Sequence, residues 1–213
     1  EFKYLGSIIS EDLTDDAECN ARIRAAAGAF GALRTRIFQE RRVPTRVKRM
    51  AYQALVLNVL LFGCEAWSLS SYMMTRLTSF HNRCIRSMMG CTLRLGRVVH
   101  TATGNRTRHF VLRARLRLPT MPQILARRRL QWLGHVSRMP LSRLPRRLLF
   151  SWLPIPRPVG RPRLTFGHSI RKDLDRAGLD TQTWPSIAAN RSQWRALLDS
   201  RRMKTFSRVL AGT

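Results

Sequence analysis

Apolar residues recur along most of this chain at the three- and four-residue steps of an α-helix. The exception comes first: Glu1–Ser10 is rich in aromatic and β-branched residues and predicts a short strand. Thr14 or Asp15 then starts a helix, with Asp15 and Glu18 at capping-box spacing. Cys19, Ile23, Ala26, Phe30, Leu33 and Ile37 form its apolar stripe, and Arg24 and Arg36 fall opposite. Pro44 opens a second helix, apolar nearly all round from Met50 to Phe62 and so expected to be buried, with Gly63 as its stop. A third runs from about Ser71 to Met89, with Met73, Leu77, Phe80, Cys84 and Met88 inward and Arg83 and Arg86 outward; Gly90 ends it.

Residues 92–118 break the pattern. Gly96, Gly104 and Asn105 interrupt it, and Arg alternates with apolar residues in VLRARLRL, as in an exposed strand or a loosely packed helix. Thr120 caps a fourth long helix, with Gln123 at the capping-box position and Met121, Leu125, Trp132, Val136 and Met139 inward. Arg127 faces away from that stripe, with Arg128 and Arg129 on its shoulders. Leu153–Arg163 holds four Pro and three Arg, an extended linker of polyproline character. Short helices follow at His168–Ala177, at Thr183–Ala189 and after Asn190, where Trp184, Ile187, Trp194 and Leu198 are expected to cluster. The fold is therefore expected to be mainly α. A strand and turn (1–14) precede a helical bundle (15–91), an Arg-rich helical connector (92–150), a Pro/Arg linker (151–167) and a small C-terminal helical unit (168–213).

Charge adds what periodicity does not. The 213 residues carry 39 Lys and Arg against 12 Asp and Glu, a formal charge of +27. Only four of the cations are Lys, leaving 35 Arg, the residue suited to planar, bidentate phosphate contacts. Eight of the twelve acids lie in residues 1–65 and four from Asp173 onward, while residues 66–172 hold 21 Arg, one Lys and no acid. Such a segment repels itself unless a polyanion neutralises it, which points to nucleic acid. A coding bias toward Arg gives the same composition without any binding.

Several classes are excluded or disfavoured. The longest charge-free stretch, Met50–Cys64, has 15 residues, short of the roughly 20 that a membrane-spanning helix needs. The first residues lack a signal-peptide layout, and the absence of an initiator Met suggests a fragment. Four Cys at no Cys-x-x-Cys spacing fit reduced thiols inside a cell. Leu13-Thr14-Asp15-Asp16 imitates the Asp-Asp turn on which polymerases hold two metal ions. A catalytic pair needs a hydrophobic hairpin and a third carboxylate, however, and here a helix comes directly after it. His81 and Cys84 share a helical face, and Cys64, Cys91 and His135 would complete a tetrahedral zinc site. Because the spacing fits no common zinc motif, a buried Cys beside a hydrogen-bonded His is the expected arrangement. Gly160-Arg161-Pro162-Arg163 resembles an AT-hook core, or is simply a basic spacer. No catalytic residue and no metal ligand is assigned.

The order of these pieces resembles a known family. FKYLGSIIS at Phe2–Ser10, DDAECNARIRAAAGAFGALRTRIF, YQALVLNVLLFGCEAWSL, FHNRCIRSMMG, RRRLQWLGHVSRMP, GRPRLTF and DLDRAGLD with the Trp184–Trp194 pair are similar, in collinear order, to the C-terminal part of non-LTR (LINE-type) retrotransposon reverse transcriptases. The resemblance implies a thumb-like bundle that grips RNA template and DNA primer in the nucleus. Tyr4, Leu5 and Gly6 would lie near the primer end, and Arg24, Arg36, Arg83, Arg86, Arg127, Arg161 and Arg163 on the nucleic acid. It also implies that the palm and fingers, with the Mg²⁺-binding carboxylates, precede residue 1, so that the chain alone has no polymerase activity and needs no cofactor. A stand-alone basic binding protein and a translated transposon remnant without function are the alternatives.

Overall fold

The computed structural model describes residues 2–4, 6–11, 14–150 and 165–199. It is mainly α-helical, with two small antiparallel sheets, and divides into two compact units. The first comprises Glu1–Gly63 and Leu69–Pro122, the second Cys64–Ser68 and Gln123–Thr213. Among the described residues no helix is long and apolar enough to cross a membrane.

The first unit opens on a hairpin rather than the single expected strand. β1 (Phe2–Tyr4) pairs with β2 (Ser7–Ile9) in the register Phe2↔Ile9, Lys3↔Ile8, Tyr4↔Ser7, with Gly6 in the turn at φ +87°. Only a two-residue loop separates the strands, and the left-handed backbone there is open to Gly without strain. Helix α1 (Asp16–Leu33) comes next. Asp15 occupies the N-cap without a side-chain cap bond, so the expected capping box does not form; Glu18 is used elsewhere. The helix runs into a π-helical turn, Arg34–Phe38. A π turn takes in an extra residue and rotates the residues after it, so Phe38 is buried where the α-helical period put Ile37.

The second helix is likewise continuous but mixed: α2 (Thr45–Ala51), a π turn (Tyr52–Leu57) and α3 (Asn58–Leu60). It buries Tyr52, Val56, Leu57 and Leu60 against α1, yet leaves Val47, Met50, Leu55 and Phe62 exposed, so it is not the all-round buried helix its composition suggested. Tyr52 stands edge-on to Phe30 and Phe38, which stack on each other with centroids 4.4 Å apart. Burial of each such side chain contributes about 2–3 kcal/mol. Helix α4 (Ser71–Met88) buries the expected stripe, extended by His81 and Ile85. Its N-cap, Ser70, accepts from the Met73 amide at 3.2 Å.

Beyond Gly90, at φ +62°, the chain turns into a sheet. β3 (Cys91–Arg94), β4 (Arg97–His100) and β5 (Arg106–Thr107) form an antiparallel meander where the sequence read as irregular or helical. The stretch VLRARLRL lies in a helix, α5 (His109–Leu116), whose Leu112 and Leu116 are buried.

The second unit is built on helix α6 (Met121–Ser137), all but the first two residues of which belong to it. Helices α7 (Leu144–Phe150), α8 (Phe166–Ala177), α9 (Trp184–Ala189) and α10 (Arg191–Asp199) complete it. Leu130 and Leu133 of α6 share one core with Ile170, Leu174, Trp184 and Trp194, which contains the aromatic cluster expected from the sequence. The Trp194 indole donates to the Leu130 carbonyl at 3.0 Å over Gly134, where an added Cβ would lie 2.2 Å from its nitrogen. Arg129, placed by sequence on a shoulder of α6, is buried against Asp173 at 2.6 Å, with Arg176 3.9 Å from the same carboxylate. Of the expected linker (151–167), residues 151–164 lie outside the described residues, and Phe166 and Gly167 already belong to α8.

Candidate nucleic-acid interface

The hairpin is latched to α1 by one carboxylate and one guanidinium. Glu18 accepts from the Ile8 amide at 2.7 Å and from Arg22 Nε at 2.6 Å; Arg22 Nη2 donates to the Gly6 carbonyl at 2.5 Å. Arg22 also covers the Phe62 ring at 4.4 Å. Glu18 is buried, so both its oxygens need charge-assisted donors, and they have them. Tyr4 is exposed beside this turn and stacks on Phe2. Leu5 lies outside the described residues.

The outward arginines divide into two groups. Arg24 on α1, Arg36 in the π turn and Arg83 on α4 are exposed, and among the described residues none forms an ion pair. Arg83 sets its guanidinium carbon 5.5 Å from the Phe80 ring centroid, a cation–π contact made by a side chain that stays exposed. The other two are engaged. Arg86 is half-buried, and its Nη1 donates to His109 Nε2 at 2.8 Å. Arg127 is ion-paired with Asp199. Helical phasing put both on the solvent side: Arg127 is exposed there, whereas Arg86 is half-buried, because phasing shows which side a residue faces but not what another element brings to it. Arg161 and Arg163 lie outside the described residues.

His81 and Cys84 form no metal centre. The Tyr52 hydroxyl lies 2.9 Å from His81 Nδ1, and His81 Nε2 lies 3.1 Å from the Pro119 carbonyl. A carbonyl only accepts, so the proton sits on Nε2, Nδ1 accepts from Tyr52, and the ring is neutral. Burial holds its pKa down at about 4. Burial likewise pushes the Cys19, Cys64 and Cys84 thiols up to about 12, which leaves them inert. Among the described residues no three His, Cys, Asp or Glu cluster to hold an ion. Asp15 and Asp16 mark the start of α1, and the nearby Glu18 is committed to Arg22 and Ile8. These carboxylates do not suit a pair of Mg²⁺ ions.

Sequence reasoning missed the sheet. Cross-strand partners share a face, and the pairs Arg94↔Arg97 and Val99↔Arg106 place Arg94, Arg97 and Arg106 on the side opposite buried Val98. The signal was present in TLRLGRVVH, an alternating run on each side of Leu-Gly. In the structure that dipeptide is the β3–β4 turn, with Leu95 at φ +47° and Gly96 at φ +70°.

No protein-family model matches the chain, and no solved structure matches it. The chain is similar to a transposon-derived protein of Caenorhabditis elegans, 26% identical over 204 residues that span 93% of this chain and 70% of the relative. That similarity runs through both compact units and points to a transposon-related origin.

Proposed function

We propose that this chain is the nucleic-acid-gripping, thumb-like part of a non-LTR retrotransposon reverse transcriptase, holding RNA template and DNA primer mainly through their phosphates. One observation carries this: residues 66–172 contain 21 Arg, one Lys and no acid. Exposed Arg24, Arg36 and Arg83 add cations that form no ion pair among the described residues, and backbone contacts of this kind position a strand without reading its bases. The transposon-derived relative and the collinear blocks from Phe2 to Trp194 support the same origin. In the parent enzyme the latched turn at Gly6 would face the primer, and chemistry would belong to the palm.

Equilibrium binding to single-stranded RNA, single-stranded DNA and RNA–DNA hybrid, each in scrambled sequences, tests the proposal. Tight binding with little sequence preference is expected, as is background primer extension in the presence of Mg²⁺. Equal affinity for polyglutamate would reject phosphate recognition. Extension lost on Asp15→Ala or Asp16→Ala would overturn the assignment of chemistry to another part of the enzyme.

A further inference from the structure

The three-stranded sheet carries a charge arrangement that its own packing does not explain. β3 and β4 set Arg94 opposite Arg97, and β4 and β5 set Val98 opposite Thr107. Arg94 and Arg97 thus head a row at one end of the sheet, Arg108 directly follows β5 at that same end as the N-cap of α5, and Arg106 lies one row further along on the face of Arg94 and Arg97. Like charges directly opposite one another in a sheet are destabilising. Among the described residues no carboxylate relieves them: none of the four is in an ion pair there, and residues 69–122 of this unit contain no acid. An open cleft of about 530 Å³ lies beside the row, lined by Arg97, Arg106, Arg108 and His109 together with Gly96, Val98 and Thr107.

His109 is fixed as a neutral donor in this cleft. Arg86 donates to its Nε2 at 2.8 Å, so the ring proton sits on Nδ1. Burial and the charges of Arg86 and Arg113 lower its pKa, which keeps the ring uncharged. Arg97, Arg106, Arg108 and the neutral His109 therefore line a space with no anionic side chain among its lining residues. Beyond the row, Leu95 stands fully exposed in a left-handed conformation that disfavours a branched residue. A free anion makes no use of such an apolar tip, whereas the sugar or base of a nucleotide covers it.

We propose that this cleft and the arginine face beside it bind the backbone phosphates of a single polynucleotide strand, with Leu95 against a flanking sugar or base. The proposal rests on the nucleic-acid reading above and gives it a place. It is tested by anisotropy with a 12-nucleotide single-stranded RNA on the full chain. The combined variant Arg97→Gln, Arg106→Gln, Arg108→Gln is compared with a charge-matched control outside residues 66–172, Arg41→Gln, Arg46→Gln, Arg195→Gln. All six side chains are exposed, so both variants should melt like the parent. The cleft variant is expected to bind about tenfold or more weakly, the control to lose no more than about threefold. Neutral methylphosphonate linkages should remove the difference between parent and cleft variant, and millimolar inorganic phosphate at matched ionic strength should not displace the strand. Equal weakening by both variants would overturn the site while leaving nucleic-acid binding intact. Displacement by inorganic phosphate would show a free-anion site instead and overturn the strand assignment. A parent that binds no polynucleotide would reject both the site and the function on which it rests.

Discussion

At the scale of single residues, buried polar groups show the strongest dependence on partners. His81 is 1% exposed and bridges Tyr52 of the second helix to the Pro119 carbonyl. Its folded pKa, about 4, lies below its ordinary 6.5, so the unfolded chain takes up a proton first as pH falls. The stability this contributes is complete above pH 6.5 and is lost as pH falls toward 4, by at most about 3 kcal/mol. Denaturant unfolding across that window should show the loss, and His81→Gln should flatten it. His109, also lowered, acts in the same direction, so the difference between parent and variant isolates His81. An unchanged slope in the variant would contradict the assigned tautomer network. The sequence already favoured a hydrogen-bonded His beside a buried Cys, because both sit on the apolar side of α4. It could not show Tyr52 as the partner, since a π turn carries that residue inward.

At the scale of elements, the helices were legible and the sheets were not. α4 and α10 arise from stripes of large apolar residues; Asn190 starts α10 as expected and accepts from the Gln193 amide at 3.1 Å, and Ser70, which the sequence pattern did not single out, caps α4. The strands of β3–β5 span two to four residues and are interleaved with Arg, too short for a period of two to outweigh neighbouring helix formers. The N-terminal hairpin was read as one strand because its turn needs only two residues, and its anchor, Glu18, looked like a capping residue. Glu18→Gln should release that anchor: hydrogen exchange at the Ile8 amide should quicken about tenfold or more, with α4 unaffected. Equal exchange in parent and variant would mean the hairpin holds without the latch. In the second unit, Gly134→Ala pushes a methyl into the Trp194 ring and should destabilise by about 1–3 kcal/mol in denaturant, with loss of near-ultraviolet Trp dichroism. A neutral effect would mean that the indole does not rest on α6.

For the whole molecule, the decisive property is where the positive charge is left without an internal partner. Composition located the acid-free stretch, and helical phasing found three exposed arginines of the bundle, Arg24, Arg36 and Arg83. Phasing put Arg127 in solvent, where it is exposed, but could not show the partners of Arg86 and Arg127, His109 and Asp199, which come from distant segments, 23 and 72 residues along the chain. The central claim is that the unpaired cations meet phosphates. The most direct measurement is the salt dependence of binding to single-stranded RNA, for the parent and for Arg24→Gln, Arg36→Gln, Arg83→Gln. Each phosphate contact lowers log K by about 0.7 per decade of salt on a single strand. The parent should therefore show a slope of about −2 or steeper, and the variant should flatten it by about 2 while weakening all sequences alike. A parent slope near zero would mean that the +27 charge reflects coding bias in a transposon remnant rather than a binding surface, and a variant that binds as the parent does would contradict the claim that Arg24, Arg36 and Arg83 meet phosphates.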